Sequence, residues 1–483
     1  MAARLHAART SGDAVGVFRI VAENPLVAWY AMPLPELAET IAEAMAGVSD
    51  SSDDKQICRG LLQVLRGEEI SITLPARLQA MPLAMRGMQE RLRGAPSAAL
   101  RLQLTARTQR VRSASTLFDT TDGLAAFEAM QMGITRMLAG DLVGALTDFT
   151  AVRWSPTPSL PFLMRDAHVK SALVHALYGR PADAHRSIQA ARSIPRTASW
   201  VEEGLDAHLE MAAAVLEEDA HAAVSRLESI PLDAVGELWP FLVEAMYRAH
   251  SRAGRGEAAA LRFERLRDAA PPARPGDGMP GNVFDCILAL VAFFRGDATM
   301  ARRLNATVPP TFFRGAMMQA MLDIVAGRPD EALRILAELR PSTDGLDQLE
   351  GQRLALRAQA LFARGQRVDA LVALSEVRDL PDGAGRLGAR LLTADLHDLA
   401  RAEVAGWESI PTKALWPEDT IALTVREREL LAALHAGLTR TEIAERLFVS
   451  LNTIKTHQRS LFRKLGVSTR AEAAAIAERR GLL

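Results

Sequence analysis

The side chains with the clearest chemistry sit near the end of the chain, in LNTIKTHQRSLFRKL from Leu451 to Leu465. As a helix this stretch puts Ile454, Leu461 and Leu465 on one side. Asn452, Thr453, Lys455, Thr456, Arg459 and Arg463 fall toward solvent. Amide, hydroxyl, ammonium and guanidinium groups are those that bond phosphates and base edges. Lys455 and Arg459 can reach guanine edges or phosphates, and His457 can donate to a phosphate or base or pack at the helix surface. Thr439, Thr441, Asn452 and Thr453 lie near helix N-termini, where backbone N–H groups also attract phosphate.

The elements that must hold this face are legible from their punctuation. Thr424 can N-cap a first helix over 425–436, and Gly437 can end it in a left-handed turn. Thr439 with Glu442 forms a capping box for a second helix ending near Leu447. Phe448 and Val449 make a tight turn, and Ser450 caps the third helix, 451–465, which stops at Gly466. Ser468 or Thr469 opens a fourth that stops at Gly481. Leu430 and Leu434, the Ile443, Ala444 and Leu447 stripe and the Ile454 stripe can close over one small core. Two short helices joined by a three-residue turn, the second polar and basic on one face, make a helix-turn-helix over about 439–458.

Residues 420–483 resemble the LuxR-type C-terminal DNA-binding domain. The resemblance rests on Leu423-Thr424-x-Arg426-Glu427-x-Glu429-Leu430-Leu431, Gly437, Glu442-Ile443-Ala444-x-x-Leu447-x-x-Ser450, Thr453-Ile454-Lys455-x-His457, and Lys464-Leu465-Gly466-Val467-x-x-Arg470-x-x-Ala473. The last region of bacterial sigma factors shares the opening, but Lys455-x-His457 and Leu465-Gly466-Val467 favour the LuxR type. The resemblance implies a bacterial transcriptional regulator that binds double-stranded DNA with helix 451–465 in the major groove. Lys455, Thr456, His457 and Arg459 match positions that contact DNA in the family. The Ala-rich fourth helix resembles the family's dimer-forming helix, so a homodimer on two half-sites is expected. Glu427 and Arg470 are expected to make ion pairs inside the domain.

Charge supports this division. Residues 420–483 carry two Lys and nine Arg against six Glu, a net +5, within a chain of net charge −1. A basic end on an acidic body suits nucleic-acid binding joined to a regulatory part. With 483 residues, 49% apolar and 24% charged, the chain is long enough for two or three globular domains. Abundant Ala and only 5% aromatic residues favour helix over strand. Cys58 and Cys286, far apart in apolar surroundings, read as buried small hydrophobes in a reducing compartment. No stretch has the length of a membrane span and the start lacks a signal-type apolar core, so a cytoplasmic protein is expected.

Ahead of the basic domain a repeat emerges over 124–400. Six turns place a Gly five residues before an Ala: Gly140/Ala145, Gly179/Ala184, Gly254/Ala259, Gly296/Ala301, Gly327/Ala332 and Gly365/Ala370. A seventh falls at Glu217/Ala222, without the Gly. Seven residues before the turn stand Gly133, Ala172, Ala289, Ala320 and Ala358, with Tyr247 the exception. Small residues there let two helices cross closely, and a turn Gly can adopt positive φ. Nine residues after the turn, Phe149, Ile188, Phe263, Leu336 and Leu374 fill the gap between repeats, with Asn305 breaking the rule. The pattern resembles tetratricopeptide repeats. The fold class is therefore all-α, a tetratricopeptide-like α-solenoid followed by a four-helix LuxR-type domain. Residues 1–123 form a helical region of unclear role, with helices near 35–46, 55–66 and 98–112 and a short alternating segment at Ile70–Leu74. Residues 113–123 read as a linker or turn, 271–282 as a long loop between repeats or else a domain boundary, and 401–419 as the linker to the terminal domain, in which Trp407 and Trp416 either pin it against a neighbour or stand as partly exposed linker aromatics.

A helical-repeat body before such a domain resembles the MalT-like regulators, which carry a Gly-x4-Gly-Lys-Ser/Thr phosphate loop. None of the five lysines here follows a Gly, so the chain resembles such a regulator lacking the ATPase domain. His-Glu-x-x-His and Gly-x-Ser-x-Gly are absent, and the two cysteines make no metal pair. His168 and His175, two turns apart on one helix, read as surface or core histidines. No catalytic, cofactor or metal site is expected. A protein or small-molecule effector on the repeat body is expected to supply control. The competing reading is an interaction scaffold whose terminal domain binds protein instead of DNA.

Overall fold

Every regular element among the described residues is helical. The computed structural model describes residues 1–47, 52–68, 80–112, 124–155, 160–410, 416, 423, 425–480 and 482. The alternating segment Ile70–Leu74, the linker 113–123, the caps Thr424 and Gly481 and most of 411–424 lie outside them. The chain divides into two compact units, 1–259 with 263–283, and 260–262 with 284–483.

The first unit opens with helices whose starts are set by short polar side chains. Asp13, Asn24 and Ser52 each accept the N–H three residues on, from Gly16, Val27 and Lys55. Leu5, Phe18, Val21, Leu37, Ile41, Cys58 and Leu61 close one core beneath them. Burial in that core pushes the Cys58 thiol up to about 12, as suits an inert packing residue. Helices Ala80–Leu92 and Pro96–Arg112 follow.

Seven helical pairs come next. They are Leu124–Ala139 with Leu142–Arg153, Phe162–Leu177 with Pro181–Ser193, Val201–Val215 with Ala220–Glu228, Trp239–Arg252 with Gly256–Ala269, Gly278–Phe294 with Ala298–Asn305, Phe313–Val325 with Pro329–Glu338, and Asp347–Ala363 with Arg367–Arg378. The six expected Ala residues after the turns are all buried, as are Phe149, Ile188, Phe263, Leu336 and Leu374. At Gly133 a Cβ would lie 2.5 Å from the Phe149 ring, so the small residue is what lets that pair cross. Five of the six turn glycines, Gly140, Gly254, Gly296, Gly327 and Gly365, are at positive φ.

Three details differ from the sequence reading. Gly179 is not at positive φ; Pro181 fixes the start of the next helix instead, and the space beside Gly179 is taken by the His175 ring. The Gly-less turn is displaced by one residue, because Asp219 caps the second helix and buries Ala223, not Ala222. Leu227 then fills the place that Phe149 fills in the first pair. The loop expected over 271–282 ends sooner, since the helix begins at Gly278.

The first unit also holds charge inside. Arg91 Nε donates to Glu237 at 2.7 Å, Nη1 to the Gln131 carbonyl at 3.0 Å and Thr135 Oγ1 at 3.1 Å, and Nη2 to Gln131 Oε1 at 2.7 Å. Arg165 is paired with Glu202 and Asp206. Lys170 Nζ donates to Asp166 at 2.6 Å and to His208 Nδ1 at 3.0 Å. His208 Nε2 faces the Val235 carbonyl at 2.9 Å, so the ring proton belongs on Nε2 and Nδ1 accepts. Burial, then the Lys170 charge, pull His208 well below its usual pKa. His168 and His175 lie on Phe162–Leu177, and burial lowers both.

The second unit carries the last pairs and the terminal domain. Leu354, Ala358, Leu374, Val377, Leu396 and Ala400 form a core that also takes in Val404, Trp407 and Ile410. Trp407 is thus a core residue, joined to the helix Ala394–Glu403 by Gly406 at φ +81°. Trp416 is buried edge-on to Phe293, ring centres 5.1 Å apart.

Candidate nucleic-acid interface

Four helices build the terminal domain: Val425–His435, Arg440–Arg446, Leu451–Leu465 and Arg470–Arg480. Their ends follow the local chemistry. Gly437 turns the chain at φ +88°. Thr439 Oγ1 accepts from Glu442 N at 3.3 Å, and Glu442 Oε2 accepts from Thr439 N at 2.7 Å, the reciprocal capping box. That backbone bond, with the Thr439 hydroxyl, holds the Glu442 carboxyl below its ordinary value. Ser450 Oγ accepts from Thr453 N at 3.1 Å, and Gly466 closes the third helix at φ +66°. Of the two candidates for the fourth cap, Thr469 takes it, its hydroxyl accepting from Glu472 N at 3.2 Å.

Apolar burial fixes the angle between the helices. Leu430, Leu431 and Leu434 meet Ile443 and Ala444, then Ile454, Leu461 and Leu465, with Ala473 and Ala477 closing the far side. Leu447 packs against the edge of this core. Each fully buried Leu or Ile contributes ~1.5–3 kcal/mol, enough together to hold so small a unit.

Polar contacts refine the placement. Lys464 donates to Glu427 at 2.6 Å, joining the first helix to the third. Among the described residues Arg470 makes no such pair; its Nε donates to the Leu434 carbonyl at 2.8 Å and so satisfies the end of the first helix. This corrects the ion pair expected for Arg470. Its charge still reaches Glu442 and helps keep that carboxylate ionised. Two residues escaped the sequence reading. Gln458 is buried on the apolar stripe four residues after Ile454 and accepts from Arg440 Nε at 2.8 Å. A polar residue on an apolar stripe was the signal available for it.

The nine singled-out residues fall on this scaffold as follows. Asn452, Lys455, Thr456, His457, Arg459 and Arg463 are all exposed on the third helix. Thr453 is half-buried, its hydroxyl 2.8 Å from that of Ser450. Thr439 and Thr441 are exposed at the start of the second helix. The arrangement brings two helix N-termini and a row of Lys, Arg, Thr and Asn groups to solvent on a rigid base.

Other faces of the domain are covered within the second unit. Arg428 donates to the Gly327 carbonyl at 2.9 Å, and burial lowers its pKa. Val325 packs against the domain's core. The fourth helix lies against Ala298–Asn305, where the Thr299 hydroxyl donates to the Glu478 carbonyl.

Residues 422–477 match the sequence pattern of the family described as bacterial regulatory proteins, luxR family. A protein of Hyphomicrobium methylovorum described as "Probable transcriptional regulatory protein SgaR" is 56% identical over 55 residues, 11% of this chain and 26% of that one. The transcriptional regulatory protein LiaR of Bacillus subtilis is 36% identical over 85 residues, 18% of this chain and 36% of LiaR. The HTH-type transcriptional regulator AlkS of Alcanivorax borkumensis is 32% identical over 136 residues, 28% of this chain and 15% of AlkS. The chain spans about a quarter of the first of these relatives and about a third of the second. Capping, core and match coincide over the same residues, and the C-terminal domain is a luxR-family helix-turn-helix domain.

Proposed function

We propose that this chain is a DNA-binding transcriptional regulator whose third terminal helix, 451–465, enters the major groove. The observation that carries the reading is the exposed row of Asn452, Lys455, Thr456, His457, Arg459 and Arg463 on a helix whose opposite side is buried. Lys455 and Arg459 are assigned to base edges or phosphates, and His457 to a phosphate or base. Thr439, Thr441, Asn452 and Thr453 are assigned to phosphate near the two helix N-termini. The seven helical pairs form a tetratricopeptide-like body that takes a protein or small-molecule effector. Binding is by a homodimer on two half-sites, in the cytoplasm. No helix among the described residues is long and apolar enough to cross a membrane.

Fluorescence anisotropy of the intact chain with duplexes selected from a random pool tests the reading. Lys455→Ala should weaken the selected duplex by roughly 1–3 kcal/mol if the lysine reads a base. If it meets phosphate only, all sequences weaken alike and the salt slope falls by about one unit. Unchanged binding by both Lys455→Ala and Arg459→Ala would remove helix 451–465 as the reading element. A protein-binding terminal domain would retain no duplex at all.

A further inference from the structure

Two large apolar side chains stand in solvent at the very start of the third helix. Phe448 is 95% exposed, the most exposed large apolar side chain among the described residues, and Leu451 is 46% exposed. Neither supports the domain's core. Leu451 is the first residue of its helix and lies one turn before Lys455 and two before Arg459, so the three share a stripe. The apolar group thus continues the polar row toward the helix N-terminus. That end of a recognition helix is the one that meets base edges.

Phe448 is also held where the fold alone disfavours it. It sits at φ +55° in the turn between the second and third helices. The turn closes on its own backbone, Phe448 N donating to the Glu445 carbonyl at 3.2 Å and Val449 N to the Ala444 carbonyl at 3.0 Å. Glycine would occupy that backbone conformation without steric penalty and would expose no apolar ring to water. Folding therefore gains nothing from the phenyl group.

We infer that Leu451 and Phe448 contact thymine C5-methyl groups in the major groove and so set sequence preference beside the polar residues. The inference rests on the DNA-binding reading above. The thymine methyl is the one apolar feature of the major-groove code, and an apolar side chain is its partner. Such contacts carry no charge, so they release no counterions and leave the salt slope unchanged.

Uracil for thymine deletes that methyl and nothing else. The intact protein is titrated with its selected duplex and with a series in which each thymine in turn is replaced by uracil. Wild type is expected to weaken about three- to fivefold at the contacted positions. Leu451→Ala and Phe448→Ala should each lose the uracil penalty at their own position, with the salt slope of wild type. Phe448→Gly controls for folding: its midpoint of thermal unfolding should rise by about 2 °C while affinity falls. A wild type indifferent to uracil at every thymine, or variants that keep every wild-type penalty, would overturn the inference. A wild type that retains no duplex would overturn the DNA reading itself, and this inference with it.

Discussion

The same residue types do opposite work at the two ends of this chain. In the first unit Arg91, Arg165 and Lys170 are almost fully buried, Arg91 and Arg165 locked to carboxylates of other elements and Lys170 to Asp166 on its own helix and His208 on another. In the terminal domain Lys455, Arg459 and Arg463 face water. A buried guanidinium or ammonium has surrendered its hydration and survives only through its partners. An exposed one keeps its hydration and its freedom to meet an anion from outside. Charge in the first unit therefore registers one helix against another, whereas charge in the terminal domain is available for binding. The contrast predicts that substitutions in the first group change stability and those in the second change affinity.

The hardest test is Arg165, whose removal leaves Glu202 and Asp206 without it. Glu202 is 2% exposed and, among the described residues, otherwise accepts only from Thr197, N and Oγ1, both at 2.8 Å. Arg165→Met should cost about 3–5 kcal/mol in chemical denaturation, since an uncompensated buried carboxylate remains. The double variant Arg165→Met with Glu202→Leu should recover most of that loss, because two matched apolar groups need no partner. Arg459→Ala, by contrast, should stay within about 0.5 kcal/mol of wild type. Equal losses at Arg165 and Arg459 would erase the distinction between the two regions.

Acid sharpens the same contrast. His208 is neutral in the folded protein because burial and Lys170 lower its pKa, while an unfolded chain protonates it near 6.5. The unfolded state then binds the extra proton, so His208 contributes stability above about pH 6.5 that is lost as pH falls. The slope is about 1.4 kcal/mol per pH unit until the native pKa is reached. Asp166 works the other way: burial raises its pKa against the pull of Lys170, so the folded state takes its proton first. Its effect opposes that of His208 closer to the acid end. His208→Gln should remove one proton's worth of slope between pH 6.5 and 5.5 in urea unfolding. A variant with the wild-type slope would show that His208 is not held neutral.

Legibility from sequence followed the range of the interactions. Thr439, Glu442, Ser450 and Gly466 act on backbone within four residues of themselves, and the structure places each as its type implied. The stripes at Ile443, Ile454 and Leu461 obey helical spacing and were equally plain. Where the Gly marker was missing, the turn register slipped by one, because Asp219 and not a glycine set the helix start. The buried charges were illegible: Arg91 meets Glu237 across 146 residues and Lys170 meets His208 across 38, with no periodicity joining them. Arg470 was misread for a related reason. Its partner is the backbone carbonyl of Leu434, which no side-chain pattern reveals.

The smallest effect separates scaffold from interface inside the terminal domain itself. Thr439 belongs to both, capping the second helix through Glu442 and standing exposed among the proposed phosphate contacts. Thr439→Ala should destabilise the domain by about 1 kcal/mol, the usual cost of an N-cap hydroxyl. It should also weaken DNA binding slightly and for all sequences alike, since a phosphate contact carries no base information. Thr439→Ser keeps the hydroxyl and should restore both quantities. Arg459→Ala then gives the complementary result, lower affinity at unchanged stability. The pair is read by thermal unfolding and by anisotropy on one selected duplex. If Thr439→Ala moved only stability, Thr439 would be scaffold alone, and the phosphate contacts would begin with the third helix.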